Sequence, residues 1–227
     1  MQLILVRHAQ PQRIHGTAAA GIHGTAAAGT HGTAVAGTHG TAVAADPDLT
    51  EIGVQQARRV PGVLAPHRVA RVVSSPQLRA RETARPTAEK LGLHVDVCDG
   101  LAEYDRDLPV YIPIEDAQHE FQQVYERIKA GYIPDQIDAA AFTTRVLDSV
   151  AAIVAAADHT DTVVAFAHGG VINVLLQDVL GLERPLTFPI DYCSVTRILY
   201  SRSGRRTAAT VNENSHVWDL LPRALRS

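Results

Sequence analysis

Short apolar runs alternate with segments of helical spacing along most of this chain, the pattern of a sheet with helices on its faces. Apolar runs predict strands at residues 2–6, 69–74, 95–98, 162–167 and 194–200. Helical spacing predicts helices over 50–64, 77–91, 115–129, 140–157 and 171–180, with Thr50 able to cap the first. Pro61 and Pro86 are expected to bend or break the first two helices. A return strand at 207–212, across the turn at Ser203-Gly204, would close the sheet. The predicted fold class is α/β: a three-layer sandwich with a mostly parallel central sheet, helices on both faces, and a small helical cap. The cap falls in segment 104–138, its helix within 112–131.

One stretch breaks the alternation. HGTAAAGI, HGTAAAGT, HGTAVAGT and HGTAVAAD follow one another over 15–46, four units of eight residues. The first three units each set two glycines among small residues, so helix would cost about 1 kcal/mol per glycine, with almost nothing bulky to bury. The repeat predicts a low-complexity loop insert in a single domain spanning 1–227. Its histidines lack neighbouring Cys, Asp or Glu and do not read as a metal tract. Because it follows the first strand and precedes the helix at 50–64, its ends are expected near any site at that strand's end, where it would modulate access.

Composition narrows the function classes. Apolar residues make up 46% of the 227, ample for a core, and the net charge of −3 with a pI near 6.4 gives no basic excess to drive nucleic-acid binding. Of the 21 basic residues only Lys90 and Lys129 are lysines; an arginine excess suits phosphate handling as well as a G and C rich genome. Cys98 and Cys193 form neither a CxxC pair nor a disulfide framework, which predicts reduced thiols in a cytoplasm. The apolar stretch 162–176 is shorter than the roughly eighteen residues of a membrane span and contains His168, and the N-terminus lacks a basic region and cleavage site. A soluble, cytoplasmic protein is expected.

The unusual polar residues fall at strand ends. Residues 3–6 run straight into Arg7-His8, and 163–167 straight into His168-Gly169-Gly170. Open α/β sheets bind ligands at such carboxyl ends, and the second histidine also stands before a helix N-terminus, which favours anions. A third strand leads through Ser75-Pro76 into a helix with Arg79 in its first turn. An arginine there opposes the helix dipole, and an anion to bind would explain it. Arg81 and Arg85, four apart, read as solvated or ion-paired surface.

The segments LVRHAQ (5–10), DLTEIGVQQA (48–57), SSPQLRARETA (74–84), LAE (101–103) and AHGG (167–170) resemble, in order, the signature segments of the histidine phosphatase superfamily, which includes phosphoglycerate mutases. The resemblance spans about residues 2–200 outside the repeat. It implies that His8 attacks phosphorus and becomes a phosphohistidine. It implies that Arg7 and Arg79 bind phosphate oxygens and disfavour a charged His8 imidazole, and that His168 donates a hydrogen bond to the transferring group, with Gly169 at the phosphate site. Glu103 would protonate the leaving alkoxide and then activate water. Asp105 is its rival, and Glu103 is preferred because the family's acid follows a Leu-x pair. No cofactor and no metal is implied.

Departures from the pattern are also legible. The common RHG is Arg7-His8-Ala9 here, and the asparagine often six residues after the nucleophile is Ile14, leaving one phosphate contact missing or supplied by Gln10, Gln12 or Arg13. The Gly-x-Trp-Glu-Gly segment that often follows the acid is replaced by YDRDLPVYIP (104–113). The substrate pocket is therefore expected to differ from those of the best-known members.

These readings favour hydrolysis of a small or medium phosphomonoester by way of phosphohistidine. A mutase is less favoured, because between Glu103 and Ala140 the basic residues are only Arg106, Arg127 and Lys129. A metallohydrolase on His8, His168 and a carboxylate would place a dication beside Arg7 and Arg79, which repel it. Neither lysine has P-loop spacing. A noncatalytic scaffold holding a phosphorylated ligand is the remaining alternative. The expected partner is a phosphorylated small molecule, with no nucleic acid and no membrane; substrate identity and oligomeric state are not written in the sequence.

Overall fold

The computed structural model describes residues 1–13, 45–108, 122–222 and 224. Strands β1 (Gln2–Arg7), β2 (Val69–Ser74), β3 (Val95–Val97), β4 (Thr162–Ala167), β5 (Val195–Tyr200) and β6 (Arg206–Glu213) form one sheet in the order β3-β2-β4-β1-β5-β6. The β3-β2, β2-β4 and β4-β1 pairs are parallel, and β5 and β6 extend the sheet antiparallel. The order is not sequential: β4 lies between β2 and β1, so residues far apart in the chain finish side by side.

Strand alternation divides the core into two layers. Leu3, Leu5, Val163 and Ala165 face helices α4 (Ala139–Ala155) and α5 (Gly169–Leu180), packing with Phe142, Val146, Val150, Val171 and Leu175. Ile4, Val6, Val164 and Phe166 face the other way onto α1 (Glu51–Leu64) and α2 (Leu78–Leu91), meeting Ala57, Val60, Leu64, Ala84 and Ala88. This is the three-layer α/β sandwich that the apolar pattern predicts. A shorter helix, α3 (Gln122–Lys129), lies within the segment 104–138; residues 115–121 of the helix predicted there lie outside the described residues, as does the octapeptide repeat up to residue 44.

Several local expectations are corrected. Pro61 and Pro86 sit inside unbroken helices. Each removes one backbone donor, but Pro61, Ala57, Val60 and Leu64 are buried, and helices in a folded chain are held mainly by such packing. Helix α5 begins two residues earlier than its apolar spacing suggests, with His168 at the N-cap, so Gly169 and Gly170 present backbone amides in the first turn. Thr50 caps α1 as expected, its hydroxyl accepting the Gly53 amide at 2.9 Å. The first turn of α2 is capped from outside: Asp46 accepts the Leu78 amide at 2.8 Å.

Candidate active site

Sheet order and register build the site. Arg7 pairs with Ala167 and Ser74 with Phe166, so β1, β4 and β2 end at one level and deliver His8, His168 and Ser75 to the same place. The His8 amide donates to Ala167 O (2.9 Å), the Ser75 amide donates to Phe166 O (2.9 Å), and the two imidazole centroids lie 5.1 Å apart.

His8 is 3% exposed, and its Nδ1 lies 2.8 Å from the Ala9 carbonyl. A carbonyl only accepts, so Nδ1 carries the proton and Nε2 keeps a lone pair. Burial, then the guanidiniums of Arg79 and Arg7, hold the imidazole well below its usual range, and it is neutral at pH 7. The turn that carries it is tied to α2: the Ala9 amide donates to Thr83 Oγ1 (2.9 Å), which donates to Arg79 O (2.6 Å). Arg7 donates from Nη1 to Ile190 O (2.6 Å), and its guanidinium carbon stacks 4.0 Å from the Tyr192 ring centre.

His168 is fully buried, with Nε2 2.7 Å from Ser75 Oγ. Ser75 Oγ also accepts the Gln77 amide at 3.3 Å. The hydroxyl can donate to His168 Nε2 or accept from it; when it donates, the imidazole proton sits on Nδ1, which has no hydrogen-bond partner among the described residues. Burial first, then Arg79, hold His168 well below its usual range, so it is also neutral, and in that tautomer Nδ1–H is a donor in the site.

Glu103 follows the short 3-10 turn Asp99–Leu101 and its C-cap Ala102, held by Arg145, which donates from Nη1 to Gly100 O and Ala102 O, both 2.8 Å. Its Oε2 accepts the Gly170 amide at 2.7 Å and its Oε1 the Tyr104 amide at 3.1 Å, while its own amide donates to Gln77 Oε1 at 2.7 Å. Burial, and next the Asp105 carboxylate, push Glu103 up to about 7, against the two amides and Arg79. A group poised there can give and take a proton near neutral pH.

Arg79, 1% exposed, donates from Nη2 to both Asp105 oxygens at 2.9 and 3.1 Å. The anion that its place in the helix calls for is thus met in part from within the chain. Gly169 lies beside Arg7: a Cβ built on it would come 3.9 Å from Arg7 Nε. Arg7, His8, Arg79, Glu103, His168 and Gly169, all singled out in sequence, are therefore brought together at one end of the sheet. Arg85 is a surface residue near Glu89, as expected. Gln10 is held beside Thr50, and Gln12 and Arg13 are exposed; Ile14 lies outside the described residues.

Sequence reasoning does not single out Ser75, Gln77, Thr83 or Tyr192. Ser75, Gln77 and Thr83 stand inside the SSPQLRARETA segment, where their polarity at buried positions is the signal; Tyr192, in the loop before β5, carries none. Among the described residues no three or more His, Cys, Asp or Glu side chains converge as a metal-ligand set, and no helix is long and apolar enough to cross a membrane.

Residues 3–213 match the family described as Histidine phosphatase superfamily (branch 1). Similar solved structures include an alpha-ribazole phosphatase from Shigella flexneri (20% identity, TM-score 0.62, covering 94% of this chain and 96% of that one). Another is a phosphoserine phosphatase from Entamoeba histolytica in complex with 3-phosphoglyceric acid (18%, 0.65, 95% and 98%). A third is a mycobacterial glucosyl-3-phosphoglycerate phosphatase (25%, 0.65, 93% and 98%). No curated protein sequence matches the chain.

Proposed function

The chain belongs to the histidine phosphatase superfamily, and we propose that it is a metal-independent phosphomonoester hydrolase working through a phosphohistidine on a small or medium phosphorylated substrate. One observation carries this reading: His8 is buried among guanidiniums, held neutral, with its Nδ1 proton committed to Ala9 O and its Nε2 lone pair left for attack. Arg7, Arg79, the Nδ1–H of His168 and the Gly169 turn at the α5 N-terminus supply positive potential for the phosphate oxygens.

In the first half-reaction Nε2 of His8 forms a bond to phosphorus as the ester P–O bond breaks, and Glu103, protonated near neutral pH, gives its proton to the departing alkoxide. In the second, the Glu103 carboxylate takes a proton from water, whose oxygen bonds to phosphorus as the P–N bond breaks. Inorganic phosphate leaves, and His8 and Glu103 return to their starting states.

The same reading takes 1–227 as one domain, 15–46 as a loop insert modulating access and 104–138 as a cap that selects substrate by shape. The flanks of the insert support its placement: the Gln12 amide donates to Asp48 O and the Ala45 amide to Leu108 O, both at 2.8 Å. Two free thiols, Cys98 and Cys193, fit a reducing cytoplasm.

The test is hydrolysis of a phosphomonoester panel in EDTA by wild type and His8→Ala, with trapping of the phosphoenzyme under non-acidic quench. Turnover with an acid-labile phosphoenzyme, both lost in His8→Ala, is expected. Folded protein that neither turns over nor becomes phosphorylated would overturn the reading in favour of a phosphate-binding scaffold.

A further inference from the structure

Asp105 has no part in the two half-reactions above, yet it is the hub of a partly buried network. Its Oδ1 accepts from Arg79 Nη2 at 2.9 Å and from Gln77 Nε2 at 3.0 Å, and its Oδ2 accepts from the same Arg79 nitrogen at 3.1 Å. The other end of the Gln77 amide accepts the backbone N–H of Glu103 at 2.7 Å. One carboxylate thereby fixes the arginine proposed to hold phosphate and, through a single glutamine, the segment that carries the proposed acid. Gln77 itself is buried, so its two contacts are not exchanged for water at low cost.

From this geometry we infer that Asp105 is a positioning residue that also acts electrostatically. Clamped by Arg79 and Gln77, it adds to burial in keeping the proton on Glu103 in the ligand-free enzyme. The inference rests on the reading of Glu103 as the acid.

The charges around Glu103 set the sign. Arg79, from α2, draws the carboxyl toward ionisation, as do the Gly170 amide of α5 and the Tyr104 amide. Arg145, from α4, adds a further positive charge facing Glu103. The imidazoles of His8 and His168 are uncharged at pH 7. Among the described residues Asp105 is the negative charge that raises Glu103, and by pairing with Arg79 it also offsets a cation that lowers it. Removing it therefore works twice in one direction, toward loss of the Glu103 proton.

The test is Asp105→Asn, nearly isosteric but uncharged. The Glu103 carboxyl carbon signal, identified by its loss in Glu103→Gln, is followed by 13C NMR titration, and kcat/KM is measured from pH 5.5 to 9. In Asp105→Asn the Glu103 titration and the alkaline limb of kcat/KM are expected to move down by about one pH unit. Activity then falls about tenfold more at pH 8 than at pH 5.5. Asp105→Glu, which keeps the charge, is expected to restore much of the limb.

A uniform loss across pH with a raised KM and an unmoved Glu103 titration would reduce Asp105 to a structural support for Arg79 and overturn the inference. A Glu103 titration that moves while the activity limb does not would uphold the inference about the proton and refute Glu103 as the acid. If Asp105→Asn does not fold, Asp105→Ser decides: it removes the charge and leaves the Gln77 contact to the Glu103 amide in place. A Glu103 titration displaced downward supports the inference, and an unchanged one overturns it.

Discussion

The Gly170 amide holds the Glu103 carboxylate at 2.7 Å, and the missing side chain of Gly170 is what admits it. A Cβ at that position would run into Glu103 Oε1 and come within 2.9 Å of Tyr104 Cε1. The glycine's φ is not unusual, so the requirement is space and not backbone freedom. Gly170→Ala is therefore expected to leave the fold intact, displace Glu103 and lower kcat/KM about a hundredfold. Steady-state kinetics beside a thermal melt checks this; an unaltered kcat/KM would show that Glu103 does not need this seat.

Ser75 is expected to act through His168. In the tautomer that turns Nδ1–H to the phosphate, its hydroxyl donates to Nε2 and holds the imidazole proton on Nδ1. Ser75→Ala removes that constraint, and kcat should fall about tenfold with a smaller change in KM, since a misplaced donor is felt most as charge develops in the transition state. A KM effect without a kcat effect would contradict this assignment.

Stability should fall on acidification from pH 7 to 5. His8 and His168 have folded pKa values depressed below the unfolded value of 6.5, so the unfolded chain binds protons that the folded chain refuses. Their contribution is present above pH 6.5 and is lost as pH falls toward the folded values. His67 and His216 act in the same direction. Glu103 opposes them: with about 7 folded against 4.5 unfolded, its contribution is present below pH 4.5 and lost as pH rises through 7. The histidines outnumber it, so the urea midpoint should drop between pH 7 and 5, and Glu103→Gln should steepen the drop. A midpoint flat or rising toward pH 5 would contradict the neutral, buried state of the two site histidines.

Gly53 tests the support behind the nucleophile's turn. A Cβ there would strike the Gln10 carbonyl oxygen and approach its carbon within 3.1 Å, both backbone atoms with little room to yield. Gly53→Ala is expected to cost about 2 kcal/mol, within the usual range for overpacking. Denaturant unfolding measures it directly, and a loss under a few tenths would mean that the 10–13 segment moves freely.

The sequence by itself determined the strands, most of the helices, and the placing of His8, His168 and Arg79 just past strand ends. Those features depend on local periodicity and on where apolar runs stop, which neighbouring residues dictate. Glu103 was legible through its likeness to a family motif and not through any physical pattern of its own. The tertiary structure alone decided that β4 would lie between β1 and β2, which sets His8 beside His168 across 160 positions of chain. It also decided that Pro61 and Pro86 would be tolerated, that Ser75 would meet His168 Nε2, and that Asp105 would face Arg79. Each of these turns on burial, and on charges that act through space and not along the chain: the repulsion of Asp105 on the Glu103 carboxylate and its attraction to Arg79 are strengthened because folding takes Glu103 and Arg79 out of the water that would screen them.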